Sequence, residues 1–199
     1  MADAGDLKSP EGKPRAGSNP ALPSWLAKRD PVEVALQNDH TMNLLDRLLG
    51  HDVWTTRELL LLCQTLDDDQ VDREFDIGHR TLRKTFDHII YNMEAWSMLM
   101  ADEAVVRSED RTIDGMLQRL EAAGKRLADV AHAVADRGGW DDTWTDHLDN
   151  PPSRRTYGGA IAHVITHSMH HRAQILYMLR LVGVKDLPEG DVLSWEASI

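Results

Sequence analysis

Ala162-His-Val-Ile-Thr-His-Ser-Met-His-His-Arg172 holds four of the chain's ten histidines within nine residues. The apolar residues Val164, Ile175, Met178, Leu179 and Val182 recur around it at helical spacing. This predicts a helix from Tyr157 or Gly158 to Leu181, with Gly183 as a C-terminal stop. At about 100° per residue, His163, His167 and His171 step round the helix by about 40° each. His171 lies closest to the apolar side and His167 next. His163 lies further out and His170 almost opposite, so those two read as rim or surface residues.

Three more helices are expected upstream. Leu44, Leu45, Leu48, Leu49, Leu59, Leu62 and Leu66 predict one long helix over Asn38–Leu66, bent at Gly50. A polar loop, Asp67 to Gly78, follows. Thr81 to Ala101 carries a helical stripe of Leu82, Phe86, Ile89, Ile90, Met93, Trp96 and Met100. Ser108-Glu-Asp-Arg111 reads as a helix start for Ile113 to Arg137, which Gly138-Gly139 ends. Asn150-Pro151-Pro152 breaks the following segment into a long loop. Leu187 to Ala197 has room for a short terminal helix. No strand pattern and no internal repeat is read. The fold class is therefore all-α, a four-helix bundle over residues 38–199.

Residues 1–37 read as a flexible N-terminal tail and lead-in. Met1 to Pro23 is rich in Pro, Gly, Ser and Ala and has too little apolar surface to offset the entropy of ordering. Trp25 and Leu26 are placed to pack back on the domain, and Asp30-Pro31 is a helix-start signal. With a net charge of -11, the chain repels nucleic-acid phosphate and anionic lipid, which argues against both as partners. No basic start followed by an apolar core opens the chain, and its longest apolar run is too short for a bilayer, so the expected location is cytoplasmic. The single cysteine, Cys63, sits in an apolar run and reads as a buried, protonated core residue rather than a nucleophile.

Two imidazoles at i,i+4 reach one ion from one turn of helix. The pair facing the bundle is His167 and His171. A third ligand must come from another helix, and His88, at the edge of the Thr81–Ala101 stripe, is the best candidate. His51, on the Leu44, Leu48, Thr55, Leu62 ridge, is a further possibility and the nearest group for handling protons near neutrality. Its plain alternative is a core histidine bonded to a neighbour. His40, His79, His132 and His147 read as surface residues, and the acidic clusters as solvated loops. Trp54 and Trp96 read as core with the capacity to wall a pocket.

The segment His163 to Gln174 resembles the final-helix signature of the DinB-like superfamily, which includes bacillithiol transferases. His51-Asp-Val-Trp-Thr-Thr-Arg-Glu-Leu-Leu60 resembles its first helix, and Thr81 to Ile90 with Trp96 its second. Together these span Asn38 to the C-terminus. The resemblance implies a four-helix bundle, often dimeric, with a divalent metal held by His88, His167 and His171. Zinc and nickel both suit three imidazoles. Characterised relatives include thiol-dependent transferases and the metal-binding part of mycothiol-dependent isomerases. They are unrelated to the translesion polymerase that shares the name. Ala173 stands where relatives commonly carry glycine, and Thr166 where many carry asparagine.

Two functions are expected to compete with each other and with a purely structural helical bundle whose histidines are satisfied by one another and by water. One is a metal-dependent thiol transferase or hydrolase acting on a small electrophilic molecule, with a low-molecular-weight thiol as partner and His51 as its catalytic proton-handling group. The other is a non-catalytic, stress-linked metal-binding protein of the same fold. A homodimer is expected because Leu59, Leu60, Leu61 and Leu62 surround much of the first helix.

Overall fold

A computed structural model describes residues 42–199. The tail, the Asp30-Pro31 helix start, Trp25, Leu26, His40 and the first residues of the Asn38–Leu66 helix lie outside the described residues. Helix α1 is Leu44–Cys63, α2 Asp68–Val71, α3 Leu82–Met100, α4 Ile113–Asp136, α5 Tyr157–Leu181 and α6 Val192–Glu196.

Each long helix starts where a side-chain oxygen takes an otherwise unpaired backbone N–H. Asn43 caps α1 by accepting from the Asp46 amide at 3.0 Å, and the Asp46 carboxylate accepts from the Asn43 amide at 2.8 Å, closing a capping box. Thr81, Thr112 and Thr156 cap α3, α4 and α5 in the same way with single bonds of 3.0–3.1 Å. Gly183, at φ +99°, ends α5 as expected, in a backbone region that disfavours a Cβ.

Helix α3 packs on α4 and α5, and α1 packs on the same two. The four long helices thus stand in the cyclic order α1, α4, α3, α5. Leu59, Leu60, Phe86, Ile89, Ile90, Met93, Met116, Leu120, Leu127, Ile175 and Met178 fill the space between them and are essentially inaccessible. At about 1.5–3 kcal/mol per large apolar side chain, this burial is the main force holding α3 against α5. An ionic clamp fastens α3 to α4. Arg119 donates to Asp87 at 2.8 Å and to Glu94 at 2.9 Å.

Helix α1 runs through Gly50 as one continuous helix, and the glycine makes room for the Trp195 ring of α6, which a Cβ would strike. Two sequence expectations are corrected. The polar loop contains the short helix α2, capped by Asp67. The long loop before α5 contains an antiparallel hairpin, β1 Thr143–Asp146 against β2 Ser153–Thr156, with Thr143 opposite Thr156. Asn150-Pro151-Pro152 lies in its connection. Among the described residues, no helix is long and apolar enough to cross a membrane.

The reason offered for a homodimer also changes. Leu59 and Leu60 are fully buried within the chain, because α4, α5 and α6 all lie against α1. Large exposed apolar side chains occur instead at Leu44, Met169, Tyr177, Leu181 and Leu193.

Candidate metal centre

Because α3 and α5 are neighbours, His88 of α3 and the His167–His171 turn of α5 face one another. His88 Nε2 lies 3.4 Å from His167 Nε2, and His167 Nε2 lies 3.2 Å from His171 Nε2. The ring centroids of the three pairs are 4.4–5.0 Å apart. His171 is buried, and His88 and His167 are half-buried.

Two readings of these separations compete. Ring nitrogens sharing a proton prefer about 2.9–3.0 Å. Nitrogens bound to one tetrahedral ion at about 2.0–2.1 Å stand about 3.3–3.4 Å from each other. The observed 3.2 and 3.4 Å are two of the three edges of such a trio and lie close to that value, which suits a divalent ion.

The outer edges of the rings are held by polar side chains. His171 Nδ1 donates to Gln174 Oε1 at 2.9 Å, which leaves its Nε2 lone pair free and aimed into the cluster. The Asn92 side-chain amide lies 2.9 Å from His167 Nδ1 and 3.2 Å from His88 Nε2, tying α3 to α5 at the site; with the amide turned so that its oxygen faces His167, that oxygen accepts the Nδ1 proton and leaves Nε2 with its lone pair. The Gln174 amide also donates to His170 Nε2 at 3.0 Å. His163 and His170 are exposed, as the helical wheel predicts.

A fourth histidine joins them that the sequence reading left on the surface. His79, in the loop before α3, places its ring 3.8 Å from that of His88 and 5.1 Å from that of His171. Ring nitrogens of His79, His88 and His171 all lie within 4.8 Å of one another. Helical periodicity could not find it, because it is on no helix. The only signal was Gly78 beside it, a turn residue in front of a helix start.

His51 stands apart. It is buried on the inward ridge of α1, and its Nε2 donates to the Gly190 carbonyl at 2.8 Å in the tautomer that carries a proton there. It lines a crevice of about 350 Å³ with Thr55, Met169, Arg172 and Leu176, and none of the four clustered histidines borders that crevice. A second group near His51 is the ion pair of Asp52 with Arg172, both buried, which joins α1 to α5.

On the rim of the cluster, Trp96 meets Trp144 of β1 edge-on at 5.8 Å and the His163 ring at 5.2 Å. The hairpin thus packs a second aromatic ring against Trp96. Cys63 is buried, and burial pushes its thiol up to about 12, so it stays protonated as expected.

Burial pushes the His88 imidazole down to about 3, and the neighbouring His79, His171 and His167 rings add to this. His167 is pushed down to about 4, again chiefly by burial, with His171 and His163 adding to it. Neutral imidazoles are the form that a metal takes. The consequence for stability has a definite sign. In the unfolded chain these rings take protons near 6.5, whereas in the folded one they stay neutral to far lower pH. Stability is complete above about 6.5 and is lost as pH falls toward the folded values. The metal-free protein is expected to melt at a lower temperature at pH about 5 than at pH about 7.5. A melting temperature that does not change between the two would contradict the cluster's burial.

The DinB family model matches residues 38–195. A crystal structure of a candidate DinB family member from Exiguobacterium sibiricum 255-15 superposes with a TM-score of 0.51 at 23% identity, covering 74% of this chain and 95% of that one. At that identity the likeness concerns the fold. No curated protein sequence matches the chain.

Proposed function

From the premise that the chain belongs to the DinB family, we propose that it holds one divalent ion on His88, His167 and His171 and uses it on a small electrophilic molecule. The single observation that carries this is the pair of nitrogen separations, 3.2 and 3.4 Å, which suits one tetrahedral ion. Zinc and nickel are the favoured occupants. When bound, such an ion acts as a Lewis acid that lowers the pKa of a thiol or water.

The chain's own residues do the rest. Gln174 accepts the Nδ1 proton of His171, and the Asn92 amide, with its oxygen turned to His167 Nδ1, would do the same for His167, so that both Nε2 atoms face the ion. Trp96, half-buried and backed by the buried Trp144, stands beside the exposed His163 as a flank on which the body of a small molecule can rest while its polar end meets the histidines. His163 is exposed and next to His167, 5.1 Å between rings, so it is better placed than His51 to take a proton from an incoming thiol. A low-molecular-weight thiol is the preferred nucleophile, with water as the hydrolytic alternative.

The test is a panel of small thiols with chlorinated and epoxide electrophiles, run with zinc-loaded, nickel-loaded and chelator-treated protein. The expected result is a rate with at least one pair that rises on metal loading and returns to background on chelation. If loading raises no rate while one ion per chain is still bound, the reading gives way to a non-catalytic metal-binding protein.

A further inference from the structure

The three histidines of the proposed centre differ from His79 in what carries them. His88, His167 and His171 project from long helices whose other faces are buried in the core. His79 projects from a tight loop, closed by the Phe75 amide donating to the Arg80 carbonyl at 2.7 Å and the Arg80 amide to the Ile77 carbonyl at 2.9 Å. On either side of it, Gly78 and Arg80 have positive φ, +47° and 72°. Arg80 is a non-glycine residue in the left-handed region that disfavours a Cβ, so the loop holds this shape against its own backbone preference. That shape lays the His79 ring against His88, 3.8 Å between centroids with the planes 32° apart, and 5.1 Å from the His171 ring.

The loop also touches the machinery that orients the α5 ligand. A Cβ on Gly78 would collide with the side-chain amide of Gln174. That same amide accepts the Nδ1 proton of His171. The glycine lets the loop lie directly on Gln174, so the loop and the orientation of His171 are mechanically linked.

Three imidazoles leave a tetrahedral ion one open position. Among the described rings, His79 is the one outside the trio that reaches two of its members, whereas His163 reaches only His167. The ring nitrogens of His79, His88 and His171 lie within 4.8 Å of one another, so for shared ligation the His79 ring must turn away from its stacked position on His88 and close to about 3.3 Å. Loops open at a lower free energy than packed helices, so of four ligands His79 is the one that can leave.

We infer that His79 is a displaceable fourth ligand, closing the coordination at rest and yielding its position to the incoming small molecule as the 75–80 loop shifts. This rests on the reading of the centre given above. It gives the site a rest state in which adventitious thiols compete with an internal imidazole.

The test uses the full chain loaded with cobalt(II), whose visible absorption reports coordination number, and 2-mercaptoethanol as the displacing ligand. His79→Ala should bind cobalt at least about tenfold more weakly, because a ligand is gone. The same variant should bind 2-mercaptoethanol at least about tenfold more tightly, because no internal ligand competes for the position. Added imidazole should restore the parent spectrum to it. A merely structural role for His79 would not produce these opposite changes together. His79→Gln, which keeps a polar side chain in the loop, carries the same test if the alanine variant does not fold by circular dichroism. Parent-like cobalt affinity and parent-like thiol titration in a folded variant would overturn the inference. The underlying reading is judged separately. If His171→Ala keeps its cobalt, the centre itself is wrong. If His171→Ala loses cobalt while the His79 variants match the parent, only the displaceable ligand falls.

Discussion

In the His171→Ala protein, bound metal should fall from near one ion per chain by roughly a hundredfold or more in affinity, and His167→Ala should do the same. The magnitude follows from sharing a typical protein–zinc binding free energy of about 10–16 kcal/mol over four ligands, about 3 kcal/mol each. His171 is the member with most to lose. Its ring is buried, its Nε2 faces His167 at 3.2 Å, and its Nδ1 is already committed to Gln174. His170→Ala is the matched control, one residue away. His170 is exposed and its one described side-chain partner is the Gln174 amide, so its loss should change metal affinity by less than about threefold. Isothermal titration against a competing chelator, on protein purified without a polyhistidine tag, reads both. Parent stoichiometry in His171→Ala would exclude the ligand set.

Asp52→Ala should destabilise the fold by about 3–5 kcal/mol. Asp52 and Arg172 are almost wholly excluded from water, and the Arg172 guanidinium lies against the Asp52 carboxylate, its backbone carbonyl at 3.2 Å and Thr56 Oγ1 at 3.3 Å. Removing the carboxylate leaves a buried positive charge without a counter-ion, which is where the cost arises. The double change Asp52→Leu with Arg172→Met should cost much less, since a buried pair can be exchanged for apolar volume at little loss. Urea denaturation of the three proteins reads the difference. A loss under about 1 kcal/mol in Asp52→Ala would show that water reaches the pair. Because Arg172 follows His171 directly, the single variant should also weaken metal binding in whatever fraction stays folded.

The helices were legible because their causes are local. The threonine that caps α3 and the leucine and isoleucine stripe behind it place that helix to within a residue of Thr81–Ala101. The i,i+4 spacing of His167 and His171 likewise fixes their shared face whatever surrounds them. The hairpin was not legible, since four-residue strands are too short to show alternation and β1 is recognised only once Trp144 is seen packed on Trp96. The neighbour of Gly50 was hidden for a related reason. A glycine in a helix signals either a bend or a close neighbour, and the neighbour, Trp195, lies far along the chain.

The sequence by itself therefore determined an all-helical bundle, the inward turn carrying His167 and His171, and the helix from which His88 would meet them. These follow from periodicity and capping, which act over one or two turns. Only the tertiary structure decided which inward histidines meet. His51 is as buried as the wheel implies, yet it faces the Gly190 carbonyl. His79, without any periodic signature, is brought by its loop onto His88 and His171. The physical reason is that a helical wheel gives the direction of a side chain from its own axis. What stands at the end of that direction depends on how loops and terminal segments pack, and those contacts join residues far apart in the chain.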